Sequence, residues 1–337
     1  MPSFYDPKKC GTLFKPDLFR AALEGQEFAK KYNIPSSEAP GQPKTVLTII
    51  DNQVDFTNPT IGNLFVPGAV EDIDRLSRFI IANLGNINHI LCSLDTHYLF
   101  QPFSPMNWMA GTNATIHTAG PKKGKRYEKG EHPDQFTIIS LEMVNKEVWL
   151  PTRKPNRARA MLEKLEAGKK KQLCIWPWHC ILGTPGHALD PSLMEIIYFH
   201  AAARNNQYNF TEKGMSQSAE HYGILMAEAQ FDDDSTTQLN ASIVNEWQNA
   251  DTVWFAGQAK SHCVLETLSQ IVNIFTKSSP ELLKRLRVLK DCMSSVPDIQ
   301  DENGKIIVPF NAIAENEFKS MANAGVQFVN STDIVRV

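Results

Sequence analysis

The chain has 337 residues, 42% of them hydrophobic and 21% charged, with a formal net charge of -3. Those proportions allow a substantial core and exclude wholesale disorder, and the near-neutral balance favours neither nucleic acid nor an anionic membrane as partner. Six scattered cysteines read as reduced, intracellular usage, the first twenty residues lack a secretory apolar region, and no stretch approaches a membrane span. The expectation is a cytoplasmic protein.

In chain order, residues 1–44 read as an N-terminal arm and linker, with an amphipathic helix at Asp17–Lys31 and a Pro/Ser/Gly stretch at Pro35–Pro43. One domain is expected over 45–337. Short apolar runs suited to strands recur at Thr45–Asp51, His89–Asp95, Tyr208–Lys213, Thr252–Gly257, Arg287–Asp291 and Val326–Val329. Helical patterns fall at Val70–Ala82, Pro191–Arg204, Ser218–Glu228, Cys263–Phe275 and Phe310–Ala324. Buried strands alternating with helices predict an α/β fold: a doubly wound, mostly parallel six-stranded sheet with helices on both faces. Phe103–Gln172 breaks the rhythm, with a strand at Thr137–Ser140 and a helix at Arg157–Ala167. At about 70 residues it far exceeds a plain βα loop of about 2–6, so it reads as a long insertion outside the sheet, near the carboxyl ends of the strands. Its lysines (Lys122, Lys123, Lys125, Lys129, Lys169–Lys171) read as a solvated face.

Functional groups of such sheets gather at the carboxyl ends of the strands, here Asp51, Asp95, Lys213 and the Gly257–Cys263 turn. Cys263 falls in the first turn of a helix, where backbone N–H groups and the helix dipole stabilise a thiolate or an oxyanion. Position alone still favours a buried structural cysteine. The neighbouring His262 diverges from it and is a poor activating base. Asp51 ends an apolar strand, where desolvation raises a carboxyl toward general-base range, although a capping Asp is equally common there. Lys213 suits a carbonyl-polarising or ion-pairing role, against the usual solvated lysine. Asp95 and His97, two residues apart, point the same way in an extended chain and can converge on one ion with His179. Two histidines and a carboxylate suit zinc, iron or manganese, but D-x-H alone is a weak signal. His89, His117, His132, His187, His200 and His221 read as structural or exposed.

Taken in order, these segments resemble the nicotinamidases and pyrazinamidases of the isochorismatase-like cysteine hydrolase superfamily. IIDNQVDF (Ile49–Phe56) is similar to the first-strand motif, SLDTH to the metal-binding D-x-H, and WPWHCILGTPG (Trp176–Gly186) to W-P-x-H-C-x-x-G-T-P-G. EKG (Glu212–Gly214) and GQAKSHCV (Gly257–Val264) resemble the lysine and nucleophile motifs. The resemblance covers 45–337 apart from the insertion. It implies a metal-dependent cysteine amidohydrolase that deamidates nicotinamide to nicotinate and ammonia through a thioester, in NAD salvage. Asp51, Lys213 and Cys263 would be catalytic, with a cis peptide at Gln258–Ala259 and an oxyanion site at Gln258, Ala259 and Cys263. Asp95, His97 and His179 would hold one divalent ion, zinc first, with iron or manganese as alternatives. Phe56 and Trp176 would sandwich a flat ring.

Two departures stand out. YLFQPF (Tyr98–Phe103), after D-x-H, lacks the further histidine of some members, leaving His117 or a water to replace it, and the insertion lies where substrate contacts form. Two rival readings are an amidase of the same superfamily for another small carboxamide and a catalytically silent ligand-binding relative. The intact Asp51, Lys213 and Cys263 set argues against the latter. A dinucleotide-dependent oxidoreductase fails for want of G-x-G-x-x-G after the first strand. The expected partner is a small amide, with homo-oligomers left open.

Overall fold

The computed structural model describes residues 1–118, 120–300 and 304–333. Six strands, β1 (Thr45–Ile50), β2 (His89–Asp95), β3 (Asn209–Lys213), β4 (Thr252–Gly257), β5 (Leu286–Leu289) and β6 (Gln327–Val329), form one sheet in the order β6-β5-β4-β1-β2-β3. Every pairing in it is parallel. The winding reverses between β1 and β4, the switch point at which doubly wound sheets open a crevice beyond the strand carboxyl ends.

Helices α1 (Leu18–Tyr32), α2 (Ala69–Ala82), α3 (Pro155–Ala167), α4 (Pro191–Arg204), α5 (Ala241–Gln248), α6 (Leu265–Ser278) and α7 (Phe310–Ala324) complete the frame. Side chains of β1 alternate between two cores. Leu47 and Ile49 pack with Ile73 and Leu76 of α2 and Leu193 and Ile196 of α4. Val46 and Ile50 join the other side, with Leu268 and Ile271 of α6. Period-two alternation on a strand covered on both faces leaves all of β1 buried, which is why it reads as an unbroken apolar run. Helix α1 crosses α4 closely: a Cβ at Gly25 would stand 2.3 Å from the Phe199 carbonyl oxygen.

Phe103–Gln172 contributes no strand to this sheet. Trp108–Ala110 pairs antiparallel with Trp149–Pro151, and Ile138–Ile139 with Leu173–Cys174. Its Trp108, Trp149 and Met161 are buried in the same core as α6. Among the described residues, no helix is long and apolar enough to cross a membrane.

One expected element is absent. Ser218–Glu228 is irregular, not helical. Side chains of α6 take the place of helical carbonyls there: Thr267 Oγ1 accepts the Ile224 N–H at 3.1 Å, and Gln270 Oε1 accepts those of Leu225 and Met226 at 3.2 and 3.3 Å. Gly223 permits the approach, since a Cβ would meet Gln270 Oε1 at 2.4 Å. Helix α5 was not foreseen; Asn240 caps it by accepting the Ile243 N–H.

Candidate active site

At the switch point, β4 ends in Gly257 at φ +126°, where a Cβ would lie 2.0 Å from the Ile50 carbonyl oxygen. Only glycine lets β4 run this close to β1. The next peptide, Gln258–Ala259, is cis. Gln258 is clamped: its N–H donates to Ile50 O at 2.7 Å, its Nε2 donates to Asp72 Oδ2 at 2.9 Å, and its Oε1 accepts from Ser294 N–H at 3.3 Å. A wide turn over Lys260–Val264 then leads into α6 and carries Cys263, which is 5% exposed.

Asp51 follows β1 directly, at φ +47° and fully buried, and its Oδ1 accepts the Ser93 hydroxyl at 2.6 Å. Lys213 ends β3. Its Nζ stands 2.9 Å from Asp51 Oδ2, 2.8 Å from Asp95 Oδ1 and 3.4 Å from Cys263 Sγ. The structure therefore gathers Asp51, Lys213 and Cys263 around one ammonium. Burial pushes the Asp51 carboxyl up, with Lys213 opposing. Burial would raise Asp95 too, but His97 and Lys213 hold it well below the usual carboxylate range. Two neighbouring carboxylates are thus driven apart, the arrangement that separates a proton carrier from a permanent anion. Burial raises the Cys263 thiol, against Lys213. For Lys213, burial favours the neutral amine, but Asp51, Asp95 and Cys263 keep the ammonium charged.

Asp95, His97 and His179 present one ligand atom each, all within 4.8 Å of one another. His97 Nδ1 faces the Gly214 carbonyl at 3.3 Å, and His179 Nδ1 faces the Pro177 carbonyl at 2.7 Å. Carbonyls only accept, so each Nδ1 carries the proton and each Nε2 is left with a lone pair. Those Nε2 atoms lie 2.9 and 3.4 Å from Asp95 Oδ2. Three converging acceptors fit a cation, and the outward Nδ1–H bonds are the usual support of metal-bound imidazoles. Burial lowers the His97 pKa against Asp95, which keeps the ring neutral as a ligand requires. Gly214 has no room for a side chain, because a Cβ would meet both Asp95 Oδ1 and His97 Cε1 at 2.8 Å. Asp55 fixes the loop that carries His179 by accepting the Cys180 N–H at 2.6 Å.

No family model and no curated protein sequence matches the chain. Solved structures do. The yeast nicotinamidase bound to the inhibitor nicotinaldehyde matches with a TM-score of 0.50 at 16% identity, over 85% of this chain and 99% of that one. A nicotinamidase/pyrazinamidase from Acinetobacter baumanii matches at 0.48 and 18%, over 88% and 100%. An isochorismatase family protein from Desulfovibrio vulgaris matches at 0.43 and 15%, over 86% and 96%. The chain shares the fold of the yeast nicotinamidase.

Above the parallel sheet, the crevice opens into a pocket that includes Cys263, Asp95, His97 and His179 in its lining. Phe56 and Trp176 also line it. Sequence reasoning missed Phe103, Glu220, Tyr222 and two histidines. His221 is buried, lines the pocket, and its Nδ1 accepts the Gly214 N–H at 3.4 Å. His262 serves as wall, its ring packed edge-on against Trp176 at 5.2 Å and Phe310 at 4.7 Å, and burial keeps it neutral. The one available signal was that Glu220–Tyr222 follows the EKG segment closely. His117 does not join the metal set. Asp134 and Glu131 of the inserted segment engage its two nitrogens at 3.1 and 3.2 Å.

Proposed function

We propose that this protein is a metal-dependent cysteine amidohydrolase that converts a small carboxamide, with nicotinamide the reference substrate, into the carboxylic acid and ammonia. The observation that carries the reading is the single Lys213 ammonium in contact with Asp51, Asp95 and Cys263 at the switch point. The fold shared with a yeast nicotinamidase supports it.

Asp51, whose carboxyl is raised by burial, takes the Cys263 thiol proton. Lys213 stabilises the thiolate as it forms, and Sγ attacks the amide carbon. The backbone N–H groups of Ala259 and Cys263 receive the oxyanion. Collapse of the adduct breaks the C–N bond, and Asp51 delivers its proton to the departing ammonia. A water, deprotonated by Asp51, then attacks the thioester; the C–S bond breaks and the thiol is restored. Asp95, His97 and His179 would hold one divalent ion, zinc first with iron or manganese as alternatives, supplying a Lewis acid and an anchor for a polar atom. Phe56 and Trp176 offer apolar faces to a flat ring. The reading assigns the chain to NAD salvage in the cytoplasm.

Ammonia release from nicotinamide, pyrazinamide and benzamide tests it. Turnover by the wild type that is lost in Cys263→Ala is expected; turnover that survives Cys263→Ala would overturn the assignment.

A further inference from the structure

The pocket holds a carboxyl group that the amide chemistry above does not use. Glu220 is 5% exposed and lines the pocket beside His221 and Tyr222. Its Oε1 accepts only a long bond, 3.4 Å, from the His221 N–H. Among the described residues, its buried Oε2 has no hydrogen-bond partner. Lys213 is committed to Asp51 and Asp95, and Lys170 to Glu228 at 2.6 Å. A buried carboxyl with an empty oxygen weakens the fold and gives no contact in return, so its presence in a ligand pocket points to a ligand. Much of the remaining wall is aromatic or aliphatic, from Phe56, Phe103, Trp176 and Val296. Polar groups in such a wall, the Glu220 carboxyl and beside it the His221 Nε2, unpartnered among the described residues, fix which substituents are accepted.

We infer, resting on the amidohydrolase reading, that Glu220 selects carboxamides that carry a hydroxyl group away from the scissile amide, with that hydroxyl hydrogen-bonded to Oε2. Burial, reinforced by the charge of Asp95, pushes the Glu220 carboxyl up to about 8. A hydroxyl pairs with it in either state, accepting from the acid or donating to the carboxylate. A bare ring leaves Oε2 unpaired, and an anionic substituent meets repulsion from the ionised form. Glu220 is therefore a specificity residue, acting on binding of the substituent rather than on the thiol chemistry.

The experiment compares kcat/KM of the full-length, metal-loaded protein for benzamide and its ortho-, meta- and para-hydroxy derivatives. At least one hydroxylated amide should exceed benzamide by about tenfold or more, since a site built for a hydroxyl rejects the analogue that lacks it. In Glu220→Met that ratio should collapse to within about twofold, mainly through KM, while Glu220→Gln keeps part of it. Removal of an unpaired buried carboxyl should also raise the Tm of Glu220→Met by about 2 °C, where a structural role predicts a fall. An equal preference in wild type and Glu220→Met, or a uniform loss across all four amides, overturns the proposal. Should the wild type release ammonia from none of the four, nor from nicotinamide or pyrazinamide, the amidohydrolase reading fails on its own; in either case of inactivity on the benzamides, calorimetry with Cys263→Ala decides the present point. Tighter binding of a hydroxylated amide that is lost on adding Glu220→Met upholds the selection; equal binding of the series ends it.

Discussion

Lys213 Nζ lies 2.8 Å from Asp95 Oδ1, while the other oxygen of that carboxylate faces His97 Nε2 at 2.9 Å. Asp95 and Lys213 are direct partners in the parallel register of β2 and β3. One side chain thus stands between the ammonium beside Cys263 and the two imidazoles. In so buried a place, a charge added on one side is felt on the other.

Groups that work as a unit lose activity non-additively. Single replacements Cys263→Ala, Asp51→Ala and Lys213→Ala are each expected to lower kcat nearly as far as the triple replacement, with ligand binding and metal content kept in Cys263→Ala. Cys180→Ala should lose less than about tenfold, because that thiol is buried and does not line the pocket. Steady-state kinetics on the five variants would reject the unit if the single effects simply multiplied.

His179→Ala removes one of three converging acceptors. Metal content, measured by elemental analysis after dialysis, should fall by at least about tenfold. A variant that keeps stoichiometric metal would show that His179 is not a ligand.

Gly257→Ala places a methyl 2.0 Å from the Ile50 carbonyl at a backbone angle closed to alanine. Destabilisation of about 2–3 kcal/mol or more is expected, read as a drop in the denaturant midpoint. An unchanged midpoint would contradict the tight β1–β4 approach.

His200 is 2% exposed, its Nε2 bonded to the Ile87 carbonyl at 3.0 Å, and burial lowers its pKa from 6.5 to about 4. Between those values the unfolded chain binds a proton that the folded chain refuses, so stability must rise with pH across that window. From pH 6.5 down to 4 the loss attributable to His200 is up to roughly 3 kcal/mol. Denaturant titrations of wild type and His200→Gln should show a shallower pH slope in the variant; parallel slopes would refute the assignment.

Much of the frame was legible in the sequence because parallel strands covered on both faces must be apolar along their whole length, as Thr45–Ile50 and Thr252–Gly257 are. Asp51, Lys213 and Cys263 interrupt or follow such runs, which put them at one edge before any contact was known. Ser218–Glu228 was opaque for a different reason. Its backbone partners are Thr267 and Gln270, some 40 positions onward, so no local periodicity could reveal that it is irregular or that Glu220 and His221 enter the pocket. His117 illustrates the same limit, since its carboxylate partners Glu131 and Asp134 belong to a segment with little regular structure.

The Trp176 backbone N–H donates to the Phe103 carbonyl at 3.2 Å, so the two ends of the inserted segment meet at a neck. The chain between those ends packs into the frame: Trp108, Trp149 and Met161 share the core of α6, and Lys170 and Lys171 pair with Glu266 of that helix. Yet both residues of the neck also line the pocket. The segment is therefore a brace between the core and the pocket: its ends are part of the binding wall, so a change in how its buried tryptophans pack would be felt by a bound ligand as well as by the stability of the fold.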